Sequence, residues 1–72
     1  MAVDGLLFKV EDGIATITFN RPEKLNAVTE AMRTEVHRLA TQLRTDESVK
    51  VLVFTGAGAA FSTGADASEL TA

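Results

Sequence analysis

The stretch Val51 to Leu70, VLVFTGAGAAFSTGADASEL, decides how this chain is read. It opens as an apolar run, Val51-Leu52-Val53-Phe54, and breaks at Gly56, Gly58 and Gly64. A helix signal follows at Asp66-Ala67-Ser68-Glu69, an Asp with Glu three residues on, in the manner of a capping box. A strand, a glycine-rich loop and a helix start together aim backbone N–H groups at an anionic or polarised group. The loop also has a plainer reading, as a tight connection and nothing more. It is not a dinucleotide fingerprint, because a third glycine would have to stand at Phe61. It is not a Walker loop, because no Gly-Lys-Ser/Thr follows. Ser62 does not sit in a G-x-S-x-G elbow, because residue 60 is Ala.

Working outward, Val49 to Phe54 is apolar apart from Lys50, which is the pattern of a strand covered on both faces in a parallel sheet. Before it, Met32, Val36, Leu39, Ala40 and Leu43 form one helical stripe, and a helix is expected from Thr29 to Arg44. Thr29 is its N-cap, and Glu30 lies in the first turn, where the helix dipole favours negative charge. Met32 reads as core filler, His37 as a half-exposed flank, and Glu35 and Arg38 as surface charges. Before the helix, Leu6–Glu11 and Ile14–Phe19 read as a hairpin turning at Glu11-Asp12-Gly13. Ala15, Ile17 and Phe19 fall on its core face. The strand at 14–19, the helix and the strand at 49–54 then make a βαβ crossover. One helix covers one face of such a sheet, so the sequence reads as an incomplete domain.

Asn20 to Val28 reads as a loop. Pro22 fixes its own φ and pushes Arg21 out of the helical region. Arg21 and Lys24 are either solvated loop charges or a cationic rim for the phosphates of a nucleotide-bearing ligand.

Composition narrows the function. The chain has 72 residues, a net charge of −3 and no cysteine. A chain of this size buries only about 60% of its unfolded surface and is marginal alone. No basic stripe suits nucleic acid, and no run reaches the ~18 apolar residues of a membrane helix. The N-terminus lacks the basic and apolar regions of a signal peptide. Without cysteine there is no disulfide and no thiolate ligand, and His37 has no neighbour at metal-ligand spacing. A cytoplasmic location is expected, with no metal and no nucleic-acid or membrane partner.

Two motifs carry a resemblance. Gly56-x-Gly58-x-x-Phe61-Ser62-x-Gly64-Ala65-Asp66 resembles the signature of the enoyl-CoA hydratase/isomerase (crotonase) family. Ile17-Thr18-Phe19-Asn20-Arg21-Pro22-Glu23-Lys24-Leu25-Asn26-Ala27-Val28 resembles that family's other N-terminal motif. Order and separation also match, from about residue 6 onward. The resemblance implies an α/β fold, the N-terminal part of a crotonase-like fold: a β-hairpin, then β-α-β, then a short truncated helix start. Residues 1–72 would form a partial crotonase domain, since family chains are several times longer.

The resemblance also implies chemistry. The backbone N–H at Ala65 would be one of two donors of an oxyanion hole for the thioester carbonyl of an acyl-CoA. Lys24, Leu25 and Ala27 on one side, and Thr63, Ala65, Asp66, Ala67 and Ser68 on the other, would line the acyl-CoA site. Some relatives carry a basic residue where this chain has Glu23, Leu25 or Ser68. No separate cofactor is implied, because coenzyme A is part of the substrate. In the family's hydratases the acid/base glutamates and the second oxyanion donor lie further along the chain. Glu11, Glu23, Glu30, Glu35, Glu47 and Glu69 read as loop, helix-surface or capping charges. The intact protein would hydrate a 2-enoyl-CoA and assemble as a homotrimer or homohexamer. The alternatives are another reaction of the family (isomerase, dehalogenase, thioester hydrolase, decarboxylase) or a non-catalytic piece that docks onto a partner chain.

Overall fold

The computed structural model describes residues 3–66. Strand β1 (Leu6–Glu11) and strand β2 (Ile14–Phe19) form an antiparallel hairpin, with Leu6 opposite Phe19 and Glu11 opposite Ile14. Its turn is tight because Asp12 and Gly13 both take positive φ, +54° and +77°, a geometry that Asp tolerates and Gly takes freely. A 3₁₀ turn (Pro22–Lys24) follows, then helix α1 (Glu30–Leu43), then strand β3 (Val51–Gly56). β3 pairs with β2 in parallel, Ile14 opposite Val51 and Phe19 opposite Gly56, so the sheet order is β1-β2-β3.

The strand alternation places the core where the period-two reading puts it. Ala15, Ile17 and Phe19 are buried on one face of β2, joined by Leu6 from β1 and by Met32 and Leu39 from α1. Val3, Phe8, Val28 and Val36 pack around them. Ile17 and Met32 are fully enclosed, and each such burial contributes roughly 1.5–3 kcal/mol. α1 is capped as its sequence requires: the Thr29 hydroxyl oxygen accepts from the Met32 N–H at 3.1 Å.

Three expectations need correction. β3 starts at Val51, not Val49. Val49 and Lys50 belong to the turn, their N–H groups donating to the carbonyls of Asp46 and Gly13; pairing with β2, rather than the apolar run, sets where the strand begins. His37 is exposed rather than half-exposed. Glu35 is buried, at 8% exposure, not a surface charge. It lies beside the stripe residue Val36, and Arg38 grips it with two bonds, Nε to Oε1 at 2.9 Å and Nη2 to Oε2 at 2.6 Å. A doubly bonded guanidinium satisfies a carboxylate that would otherwise be costly to bury.

β3 is the uncovered element. Its Leu52 and Phe54 share the helix-side face with Ala15 and Ile17, yet they are 36% and 41% exposed; Val51 and Val53 on the opposite face are 50% and 38% exposed. Among the described residues no helix is long and apolar enough to cross a membrane.

The Glu35–Arg38 pair makes stability depend on acid. The Arg38 hydrogen bonds hold the Glu35 carboxyl below its ordinary range, against the opposing pull of burial. Its contribution is therefore complete above the unfolded value of about 4.3 and is lost as pH falls through the lower folded value. The Asp46 carboxyl, held low by the Ser48 hydroxyl and N–H, acts in the same direction. Replacing Arg38 with Met isolates the Glu35 part. Thermal melts followed by circular dichroism are expected to show Arg38→Met less stable at neutral pH and less sensitive to acid than the unsubstituted chain. Parallel pH profiles would count against the pair.

Candidate functional site

The candidate site is where two loops lie alongside each other, the 20–28 loop after β2 and the 57–66 loop after β3. Asn26 holds them together. It sits at φ +58°, is completely buried, and uses all of its amide. Its Nδ2 donates to the carbonyls of Ala57 at 2.8 Å and Ala60 at 2.7 Å, and its Oδ1 accepts from the Arg21 N–H at 2.7 Å. Asn is among the few residues that enter the left-handed region without a large penalty. Its main chain is held as well: the Ser62 hydroxyl donates to the Asn26 carbonyl at 2.8 Å and accepts from the Gly64 N–H at 3.0 Å.

Beyond this clamp the two loops pair like a short piece of parallel sheet, with a bridge between Val28 and Ala65. The Val28 N–H donates to the Gly64 carbonyl and the Asp66 N–H donates to the Val28 carbonyl, each at 2.8 Å. One step earlier the Thr63 N–H donates to the Leu25 carbonyl at 3.2 Å. In a parallel bridge one residue bonds to both neighbours of its partner, and the partner's own N–H and C=O point to the other side. Ala65 is that partner. Its N–H turns away from Val28, has no acceptor among the described residues, and lies in an exposed residue.

Aromatic contacts tie the sheet to this loop. Phe19, at the end of β2, stacks on Phe54 at 6.2 Å and lies nearly perpendicular to Phe61 at 5.3 Å. Gly56 marks the tightest approach: a Cβ there would run into the carbonyl oxygens of Ala60 and Phe61.

Arg21 is not part of a cationic rim. Its Nη1 donates to the Ala27 carbonyl at 2.7 Å and to Asp66 Oδ2 at 2.9 Å. Those side chains are 19% and 16% exposed, against 64–72% for the Lys9–Glu11 and Glu30–Arg33 pairs, so Arg21–Asp66 is far better sheltered from water than those two. Asp66 is accordingly engaged inside the chain through both its carboxylate and its N–H.

Of the residues expected to line the site, Lys24, Leu25 and Thr63 are exposed, as is Ala65, while Ala27 and Asp66 are half-buried. The bridge brings Leu25, Ala27, Thr63, Ala65 and Asp66 into one band. Ala67, Ser68 and the expected helix start at Asp66–Glu69 run outside the described residues. A groove of about 760 Å³ between Gly5, Asn20, Arg21 and Thr29 lies elsewhere, with Asp4 and Glu23 on its walls; two carboxylates make it a poor seat for phosphate. The sequence reading gave no role to Asn26, Ser62 or the Arg21–Asp66 pair. The one available signal was that Asn26, a left-handed-tolerant residue, directly follows a Pro-led turn.

A family model described as Enoyl-CoA hydratase/isomerase matches residues 9–72. The chain is 45% identical over 58 residues to a probable enoyl-CoA hydratase 1, peroxisomal, of Arabidopsis thaliana, covering 81% of this chain and 22% of that protein. It is 38% identical over 61 residues to the 1,2-epoxyphenylacetyl-CoA isomerase of Escherichia coli K12, covering 85% and 23%. It is 44% identical over 59 residues to a 4-chlorobenzoyl coenzyme A dehalogenase-2 of an Arthrobacter species, covering 82% and 21%. Among solved structures, an enoyl-CoA hydratase from Mycobacterium avium subsp. paratuberculosis K-10 matches with a TM-score of 0.91 at 37% identity, over 97% of this chain and 29% of that one. The chain thus spans less than a third of the length of each of these proteins.

Two glycines separate packing from backbone strain. Gly56→Ala meets main-chain carbonyls that cannot move aside, and by analogy with overpacked cores it is expected to destabilise by about 1–3 kcal/mol or more. Gly64, at φ +101°, has open space around its would-be Cβ, so Gly64→Ala incurs only the positive-φ penalty of about 1–2 kcal/mol. Urea denaturation is expected to rank Gly56→Ala as the more damaging change; the reverse order would mean the close approach at Gly56 is relieved in solution.

Proposed function

The chain belongs to the enoyl-CoA hydratase/isomerase family, and from that membership we propose that the Ala65 N–H is an oxyanion donor for the thioester carbonyl of an acyl-CoA. The fold class expected from the sequence, the front part of a crotonase fold, is the one that the matching solved structures have over this segment. The observation that carries the proposal is the bridge geometry. Val28 occupies the neighbours of Ala65 on both sides, so one main-chain N–H is left directed outward and without an acceptor among the described residues.

The chemistry follows from where charge develops. When water adds across the C2=C3 bond of a 2-enoyl-CoA, its oxygen bonds to C3 and gives up one proton to a general base. The π electrons move through C2 and C1 onto the thioester oxygen, giving an enolate, and a proton delivered to C2 returns the carbonyl. A donor fixed in advance at that oxygen stabilises the enolate more than the ground state, and removing one donor of this kind typically raises the barrier by about 3 kcal/mol. The donor is main chain, so the side chain at 65 can be as small as Ala. Lys24, Leu25, Ala27, Thr63, Ala67 and Ser68 complete the proposed acyl-CoA lining, with Asp66 acting through its link to Arg21.

The acid/base groups are assigned to the part of the relatives' length that this chain does not span. The intact enzyme is proposed to be a hydratase, a homotrimer or homohexamer, and cytoplasmic, although the Arabidopsis relative is named as peroxisomal. A second reading has support of its own. Relatives named as hydratase, isomerase and dehalogenase match this same segment at 38–45% identity. What the segment carries is then what those reactions share, a CoA thioester, and the reaction type is set elsewhere.

The test is an ¹⁵N NMR titration with crotonyl-CoA and with S-butyl-CoA, which has the same reach but no carbonyl. Crotonyl-CoA is expected to move the Ala65 amide resonance downfield and S-butyl-CoA to leave it in place. Equal responses would remove the oxyanion role. The 72-residue chain is expected to show no turnover of crotonyl-CoA; measurable hydration would mean that the acid/base groups lie within it.

A further inference from the structure

We infer that Asn26 is a positioning residue for the Ala65 donor, acting through the Val28–Ala65 bridge, and this rests on the oxyanion reading of Ala65. The Ala65 donor has little of its own to hold it in place. Gly64 leaves the main chain beside Ala65 at φ +101°, a conformation Gly enters easily and leaves as easily. The Ala65 side chain is too small to anchor anything. The direction of the N–H is therefore set by the groups that hold its neighbours, first among them the partner strand of the bridge, residues 25–28.

That partner strand is held from below by Asn26. Its amide joins three main-chain points: the Arg21 N–H at the start of the 20–28 loop and the carbonyls of Ala57 and Ala60 at the start of the 57–66 loop. Its own carbonyl takes the Ser62 hydroxyl, which in turn receives the Gly64 N–H. The side chain thus fixes the spacing of the two loops, and Ser62 carries that spacing to the residue just before Ala65. Both the oxygen and the nitrogen of the Asn26 amide are used and the residue is fully buried, so a change of rotamer would forfeit all three bonds. Asp at this position would keep the acceptor to Arg21 but aim a carboxylate oxygen at two carbonyl oxygens, leaving Ala57 and Ala60 without a donor.

The experiment uses Asn26→Asp, which preserves shape, and Ser62→Ala, which removes only the relay and carries the test should Asn26→Asp lose its helical circular dichroism signal. Two measurements are made on each. Hydrogen exchange at the Val28 and Asp66 amides, the two bonds of the bridge, is expected to accelerate about tenfold or more in Asn26→Asp and by less in Ser62→Ala. Amides in the middle of α1 should keep their rates. The ratio of affinities for crotonyl-CoA over S-butyl-CoA is expected to fall towards one, while affinity for S-butyl-CoA changes little; general unfolding would weaken both ligands together. Unchanged exchange at Val28 and Asp66, or a carbonyl preference that survives once the bridge is loosened, overturns the inference alone. Absence of any carbonyl preference in the unsubstituted chain overturns the Ala65 reading, and the inference falls with it.

Discussion

A single buried amide decides the geometry of the glycine-rich loop. Asn26 lies between two stretches of main chain that are far apart in sequence, and its side chain supplies the hydrogen bonds that neither stretch can make for itself. Burying an unpaired main-chain donor or acceptor costs about 1–3 kcal/mol. Three half-buried main-chain groups, the Arg21 N–H and the carbonyls of Ala57 and Ala60, meet the fully buried Asn26. Any displacement of the loop by one residue would orphan several of them together. Glycines alone would give a loop of many conformations; the amide selects one.

The sheet delivers the loop to that amide. Parallel pairing sets Gly56 opposite Phe19, so the chain leaves β3 level with the end of β2. The missing side chain at Gly56 lets the returning carbonyls of Ala60 and Phe61 pass close by. Phe61 then lands with its face against the edge of Phe19, or the reverse, in the near-perpendicular arrangement that aromatic rings favour. Packing and hydrogen bonding therefore agree on one path. They act from opposite sides, the aromatic cluster from the sheet and Asn26 from the 20–28 loop. β3 enters this arrangement through Phe54, which stacks on Phe19 while remaining 41% exposed.

How much of this was legible depends on how far apart the partners are. The hairpin was readable because alternation from Ile14 to Phe19 and the Asp12-Gly13 turn are local signals. α1 was readable because Met32, Val36, Leu39 and Leu43 recur at helical spacing behind the Thr29 cap. The glycine loop was readable as a motif, and the resemblance named its family. Asn26 was not, because a polar residue after a Pro-led turn looks solvated until the chain 31 and 34 residues later folds onto it. Arg21 misled for the same reason: its partner Asp66 is 45 residues away, and no periodicity announces such a pair. Glu35 looked like surface because its partner Arg38, itself exposed, is what makes its burial tolerable. Long-range polar pairing is set by topology, whereas local pattern reports only which face a residue occupies.

This division also bears on why one segment can serve relatives named for different reactions. A donor made of main chain makes no demand on the side chain that carries it; it needs only a fixed direction. Here that direction is fixed by bonds to Val28 that are themselves main chain, and by one amide and one hydroxyl placed behind them. None of these groups ionises in the ordinary range of pH. In the proposed site the segment therefore contributes the same electrostatic term to any thioester whose oxygen gains negative charge. On that proposal, the groups that choose among the reactions named for the relatives are separate from the loop that Asn26 holds.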